Sequence, residues 1–257
     1  MNISDQEDKK ILQVILDIGV AMTKCGAENS RVEDSLYRMC KSYGFARYDI
    51  FALPSNIQAT IETFNGDIHT QIRHIENTSN DFYRLDYLNN LSRKACAETP
   101  CSEDLQLMLD EVLAKTCRIP AMRYFASMLG AAGFCVFFKG SLIDAAVAAL
   151  VAILVTFIGD RVEQHESNTM IYNFIVSMIA EIAIILLVAM GIGDHAGRIT
   201  TGIVMLVVSG LGITNGIRDL LHKDVVSGII NMTVAFLGAA GIAAGIALPI
   251  MLLRGVI

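Results

Sequence analysis

The sequence predicts an α-helical integral membrane protein with five transmembrane helices, preceded by a cytoplasmic α+β domain of order α-α-β-β-β-α-α. Three observations predict it. Residues 1–119 carry 13 Lys and Arg and 18 Asp and Glu, whereas residues 120–257 carry 7 and 8. Mean hydropathy is +0.50, and the apolar residues gather in the second half, in runs near the ~20 residues that cross ~30 Å of hydrocarbon. The first half instead mixes helical periodicity with β-branched runs and turn signals. The break at Arg118-Ile-Pro120 divides a domain at 1–119 from a membrane domain at 120–257.

Residues 5–24 read as a helix, with Ile11, Leu12, Ile15, Leu16, Ile18 and Met22 at helical spacing and Gly26 ending it. A second helix runs from Glu28 to Tyr43, with Val32, Leu36, Met39 and Cys40 inward, and Gly44 stops it. Three short strands follow at Tyr48–Leu53, Asn56–Thr63 and Asp67–Ile75, with Pro54-Ser55 between the first pair. Asn65-Gly66-Asp67 signals a tight hairpin between the second pair. Helices at 80–97 and 102–118 complete the domain, with Ser79 and Ser102 as N-cap candidates. Glu103 and Asp104 suit the positive end of the last helix dipole. About 119 residues suffice for one modest core.

Composition excludes several functions. Net charge is −6, concentrated in the first half, so no basic stripe is available for nucleic acid. The six cysteines form no CxxC, and Cys96 and Cys101 have neither zinc spacing nor a nearby His, so no metal or cofactor is expected. Reduced, mostly buried thiols fit a cytoplasmic domain. His69 and His74 are an odd number of residues apart on a predicted strand and so lie on opposite faces. No nucleophile elbow or metal-binding His pair appears, which leaves no catalytic set. Acidic residues at positions 5, 7 and 8 argue against a cleaved signal peptide.

The predicted spans are 121–138, 142–159, 171–190, 199–217 and 225–253. Lys139-Gly-Ser141 makes a tight hairpin of the first two. The fifth carries Gly238, Gly241 and Gly245, three and four residues apart, a spacing that permits close helix contact, and Pro249 near its end. With the first domain inside, the inner ends carry Arg118, Arg123, Arg161, Arg218 and Lys223. The outer ends carry Lys139, Arg198 and Arg254. This bias places the N-terminus in the cytoplasm and the C-terminus outside a plasma membrane.

Polar groups inside the spans are costly in lipid and mark candidate function. Glu181 lies midway along the third span and suits a proton-coupling role. Gly212-Ile-Thr-Asn-Gly-Ile-Arg-Asp219 and the following Asp224 place Asn215, Arg218, Asp219 and Asp224 at the inner end of the fourth. That set has the chemistry to bind a small carboxylate or zwitterion through charge-assisted bonds. Arg31, Glu33 and Asp144 are candidates for gating or structural roles. Five spans leave the chain ends on opposite sides, as for one half of an inverted-repeat transporter.

Over nearly its whole length the chain resembles the N-terminal-type half subunit of the threonine/serine exporter family. The resemblance rests on Gly26-Ala-Glu-Asn-Ser-Arg-Val-Glu33, Pro54, Gly212–Asp219, Asp224 and Ser227-Gly228. It implies proton-driven export of threonine, serine or a dicarboxylate such as succinate, together with a second five-span subunit that many bacteria encode separately. The family often has Pro-Gly where this chain has Ser209-Gly210. The competing readings are a membrane-anchored hydrolase-like enzyme and a membrane-anchored sensor or scaffold. Homo-oligomerisation is left open.

Overall fold

The computed structural model describes residues 3–76, 78–115, 120–163 and 168–253. The chain forms two compact units, Met1–Cys117 with Arg218–Ile230, and Arg118–Ile217 with Asn231–Ile257. The expected break at Arg118-Ile-Pro120 and the charges at Arg118 and Arg254 lie outside the residues whose side chains are described.

The first unit begins with α1 (Ile3–Lys24) and α2 (Asn29–Ser42). A sheet of β1 (Arg47–Leu53), β2 (Asn56–Glu62) and β3 (Ile68–His74) follows, then α3 (Phe82–Glu98) and α4 (Ser102–Ala114). The strands form an antiparallel meander in the order β1-β2-β3, with Ile50 opposite Ala59 and Thr60 opposite Thr70. Ile50 and Ala52 alternate into the core with Ile57, Ala59 and Ile61. Each residue assigned inward on the first two helices from its spacing is buried. His69 and His74 point to opposite faces of β3, as the odd spacing requires.

Two turns depend on glycine. Gly66, at φ +84°, donates to the Thr63 carbonyl at 3.0 Å and closes the β2–β3 hairpin. Gly26, at φ +87°, ends α1, and a Cβ there would lie 2.8 Å from the Asn80 side-chain oxygen.

The caps differ from the sequence expectation. Ser79 donates from its backbone N–H (2.7 Å) and its hydroxyl (3.2 Å) to the Lys24 carbonyl, so it closes the end of α1. Asp81 caps α3, accepting from the Arg84 N–H. Ser102 is the first residue of α4, and its N–H donates to Glu7 Oε1 of α1 at 2.7 Å. Short-range patterns identify polar residues near a helix start, but the choice among neighbours is tertiary.

That long-range cap gives a first prediction. The Ser102 N–H holds the Glu7 carboxyl below its ordinary value of 4.5. A lowered acid stabilises above its unfolded value, and the benefit is lost as pH falls through the folded value. Glu7→Ala should cost about 1 kcal/mol, speeding amide exchange in the first turn of α4 about fivefold at neutral pH. The difference from the parent should close in acid below pH 4.5. Equal exchange at pH 7 would show that Glu7 does not cap α4.

The second unit contains α5 (Pro120–Phe137), α6 (Leu142–Glu163), α7 (Thr169–Ala189) and α8 (Ala196–Val207). Two further helices, α9 (Gly210–Leu221) and α10 (Val225–Leu252), contribute to both units. Among the described residues, three helices are long and apolar enough to cross a membrane: Leu142–Val162, Thr169–Ala189 and Val225–Leu252. The predicted fourth span is two helices, α8 and α9, bent by 53°, and counts as a further crossing if taken as one. Ala121–Phe137 is a shorter apolar helix.

The break in the fourth span falls at Val208-Ser209 although no proline is present. Val208 is extended (φ −63°, ψ 127°), and the Ile213 N–H reaches the Ser209 carbonyl at 3.5 Å. Ser209 thus stands in the interruption, and Gly210 opens α9.

Small residues let these helices approach closely. A Cβ on Gly202 of α8 would sit 2.7 Å from the Ala131 carbonyl of α5. The Gly238, Gly241 and Gly245 stripe of α10 lies against α7. A Cβ at Gly245 would reach 2.5 Å from the Phe174 carbonyl, and one at Gly241 would strike the Met170 carbonyl. Asn168 caps α7 by accepting from Met170 and Ile171.

Candidate functional site

Within the second unit, α7 carries Asn173, Ser177 and Glu181 four residues apart, so all three share one face. All are buried. The Asn173 amide donates to the Gly238 carbonyl at 3.1 Å. Glu181 is 3% exposed, and its Oε2 lies 2.8 Å from the hydroxyl of Thr200 on α8. The same hydroxyl lies 3.0 Å from the Ala196 carbonyl.

A hydroxyl has one proton and two lone pairs, so this trio satisfies either state of the acid. With Glu181 ionised, Thr200 donates to it. With Glu181 protonated, its O–H donates to Thr200, which turns its own proton to Ala196. The site accepts or gives up a proton without orphaning a polar group.

Asp144, at the start of α6, is fully buried. Oδ1 accepts from the N–H groups of Asp194 (2.8 Å) and His195 (3.0 Å). Oδ2 accepts from the Ser141 N–H (2.9 Å) and lies 3.1 Å from His195 Nδ1. Ser141 returns the contact, accepting from the Asp144 N–H at 3.1 Å, which completes a capping box. The Ser141 hydroxyl also donates to Asp194, and Arg198 donates to the Lys139 carbonyl at 2.6 Å. Asp144, Asp194 and His195 lie close enough to ligate a cation. The Asp144 lone pairs are already engaged by these donors, however, and the cluster reads as a latch between the α5–α6 and α7–α8 turns.

In the first unit Glu28, from the Gly26–Glu33 stretch, meets Arg218, from the end of the Gly212–Asp219 stretch. Arg218, in the last turn of α9, donates to Glu28 Oε2 at 2.9 Å. Glu28 is the residue before α2, its side chain 9% exposed against 52% for Arg218. Ser30 donates to Glu28 Oε1 at 3.0 Å, and His222 Nδ1 stands 3.9 Å from the same oxygen.

Glu33 accepts from the Ala52 N–H at 2.8 Å. Burial pushes its carboxyl up against that hydrogen bond, and the charge of Asp224 pushes the same way. Asp219 is buried, and Asp224 accepts from the Ser227 N–H at the start of α10. Asn215 is half-buried on α9, and Arg31 is exposed on α2.

Within the first unit, Asp224 is therefore near Glu33 and Arg218 is paired with Glu28, while Glu181 and Asp144 belong to separate environments of the second unit. Sequence reasoning missed Glu28, Thr200, Asn173, Ser177, Asp194 and His195. The four-residue spacing of Asn173, Ser177 and Glu181 was a usable signal. So was Ser141-x-x-Asp144, which has capping-box spacing.

A family model described as "Putative threonine/serine exporter" matches residues 13–253. No curated protein and no solved structure matches the chain significantly.

Proposed function

Because the chain belongs to the threonine/serine exporter family, we propose that it is one half of a proton-coupled exporter of a small carboxylate-bearing solute. The family is one of transporters, and several apolar helices make this a multi-pass membrane protein. Threonine, serine and succinate are the candidate solutes, and a second five-span subunit completes the pathway. Taken as five spans, the chain has its N-terminus in the cytoplasm and its C-terminus outside. Arg123, Arg161, Arg218 and Lys223 at the inner ends support that orientation.

The observation that carries the proton-coupled reading is Glu181, a buried carboxylate midway along an apolar helix with partners for both of its protonation states. Arg218 and Asn215 engage the solute carboxylate, while Asp219 and Asp224 set the local charge. Arg31 and Glu33 lie on the helix that follows Glu28 and take part in gating. In the resting arrangement, Glu28 occupies the guanidinium that the solute needs. Entry of solute is then an exchange of one carboxylate for another.

The deciding experiment is export of labelled serine, threonine and succinate from cells making this chain, alone and with a neighbouring five-span protein where one is encoded. Export that requires both proteins supports a two-part exporter and identifies its substrate. No export, with both proteins verified in the membrane, overturns the proposal.

The exchange makes its own prediction. Removing a competitor lowers the apparent dissociation constant by the fraction of sites it blocked. Glu28→Gln should lower the half-saturating internal solute concentration several-fold, and Arg218→Gln should raise it about tenfold or more, the loss of about 1.4 kcal/mol. A higher half-saturation in Glu28→Gln would sink the competition and make Glu28 a positioning residue for Arg218.

A further inference from the structure

Away from the Glu28–Arg218 contact, α2 and α3 border a cavity of about 720 Å³. Four cations line it: Arg31, Arg38 and Lys41 from α2, and Arg93 from α3. The single acid, Asp34, is held by Arg38 through two contacts, at 3.2 and 2.7 Å. Among the described residues, the side chains of Arg31, Lys41 and Arg93 make no ion pair or hydrogen bond. Three uncompensated positive charges thus surround one polar cavity, in a segment where acids outnumber bases 18 to 13.

The lining adds a second kind of recognition. Ser35 and Ser42 spend their hydroxyl protons on the Arg31 and Met39 carbonyls, each at 2.8 Å. Towards the cavity they have lone pairs to offer, so they accept. The ligand that fits is multiply anionic and carries donor hydroxyls of its own. Guanidinium forks match phosphate oxygens in pairs, whereas a single carboxylate neutralises one of the three charges. The volume falls within the range of small-molecule sites.

We propose that the α2–α3 cavity binds a hydroxyl-bearing phosphate ester through Arg31, Lys41 and Arg93, at a site separate from the transported solute. A soluble phosphate ester and an anionic lipid headgroup share this chemistry.

Cys96 lines the cavity and is half-buried, which makes it a built-in reporter. Cys101 is exposed and not among the lining residues, which makes it the control. The test is the rate of maleimide labelling of each thiol, read by peptide mass spectrometry on the full chain in phosphatidylcholine nanodiscs. The soluble probes are inorganic pyrophosphate and glycerol 3-phosphate. A lipid source is probed by replacing half the phosphatidylcholine with phosphatidylglycerol.

A ligand at about ten times its Kd protects an occluded thiol roughly tenfold. Slowing of Cys96, but not Cys101, by a soluble probe supports a soluble ligand; slowing by phosphatidylglycerol alone supports a headgroup. Either protection should vanish in Arg31→Gln/Arg93→Gln. Burial pushes the Cys40 thiol up to about 12, so fast Cys40 labelling would report a lost fold. In that event Lys41→Gln replaces the double variant. No protection from any probe, equal slowing of Cys101, or protection that survives the substitutions overturns the site.

Discussion

Glu181→Gln should reduce export at least about 100-fold, the scale on which loss of an acid–base group slows proton transfer. Glutamine keeps the shape of the side chain, and its carbonyl still accepts from Thr200, so helix packing should survive. What it loses is the second state: with no proton to shed or gain, the Thr200 hydroxyl has no reason to turn between Glu181 and Ala196. Thr200→Val removes the relay but leaves the acid, and a smaller loss with a shifted pH profile is expected. The measurement is export of labelled solute at several imposed pH gradients. If Glu181→Gln and Asp219→Asn both export at the parent rate, the proton-coupled mechanism is wrong even though the family membership stands.

Asp144→Ala should be the most damaging substitution to stability. It strips the acceptors from the N–H groups of Ser141, Asp194 and His195 at a site with no solvent exposure on the aspartate. Hydrogen bonds to a charged acceptor contribute about 1.5–3 kcal/mol each, so the loss should reach about 3–5 kcal/mol. Asp144→Asn keeps one acceptor oxygen but turns an amide donor toward other donors, and should fall between. Accumulation in the membrane and thermal unfolding in detergent would register both. A stable, well-accumulated Asp144→Asn that fails to export would move this residue from latch to transport pathway.

How much of this was legible depended on distance along the chain. Ile11 through Met22, and Val32 through Cys40, reveal their buried faces because helical periodicity is local. Asn65-Gly66 places a hairpin because a positive φ needs glycine there. The spans at α6, α7 and α10 follow from unbroken apolar length. The interruption at Val208-Ser209 was hidden because no proline announces it. The capping partners were hidden because Glu7 serves Ser102 from 95 residues away. Arg218 was visible as a costly charge, but nothing in local spacing could name Glu28 as its partner. The same holds for Asp194 and His195, which come to Asp144 from another turn.

The Glu28–Arg218 pair joins residues 190 positions apart, across all of the intervening apolar helices. At about 5–20 residues per second, the ribosome reaches Arg218 roughly 10–40 s after it has delivered Glu28. The first unit is therefore finished by chain made after nearly everything else. Until that moment Glu28 lacks its Arg218 counter-ion, and a chain cut short before α9 leaves the unit incomplete. Assembly of this protein thus has a built-in completion step: the last-made helices close a structure begun by the first thirty residues.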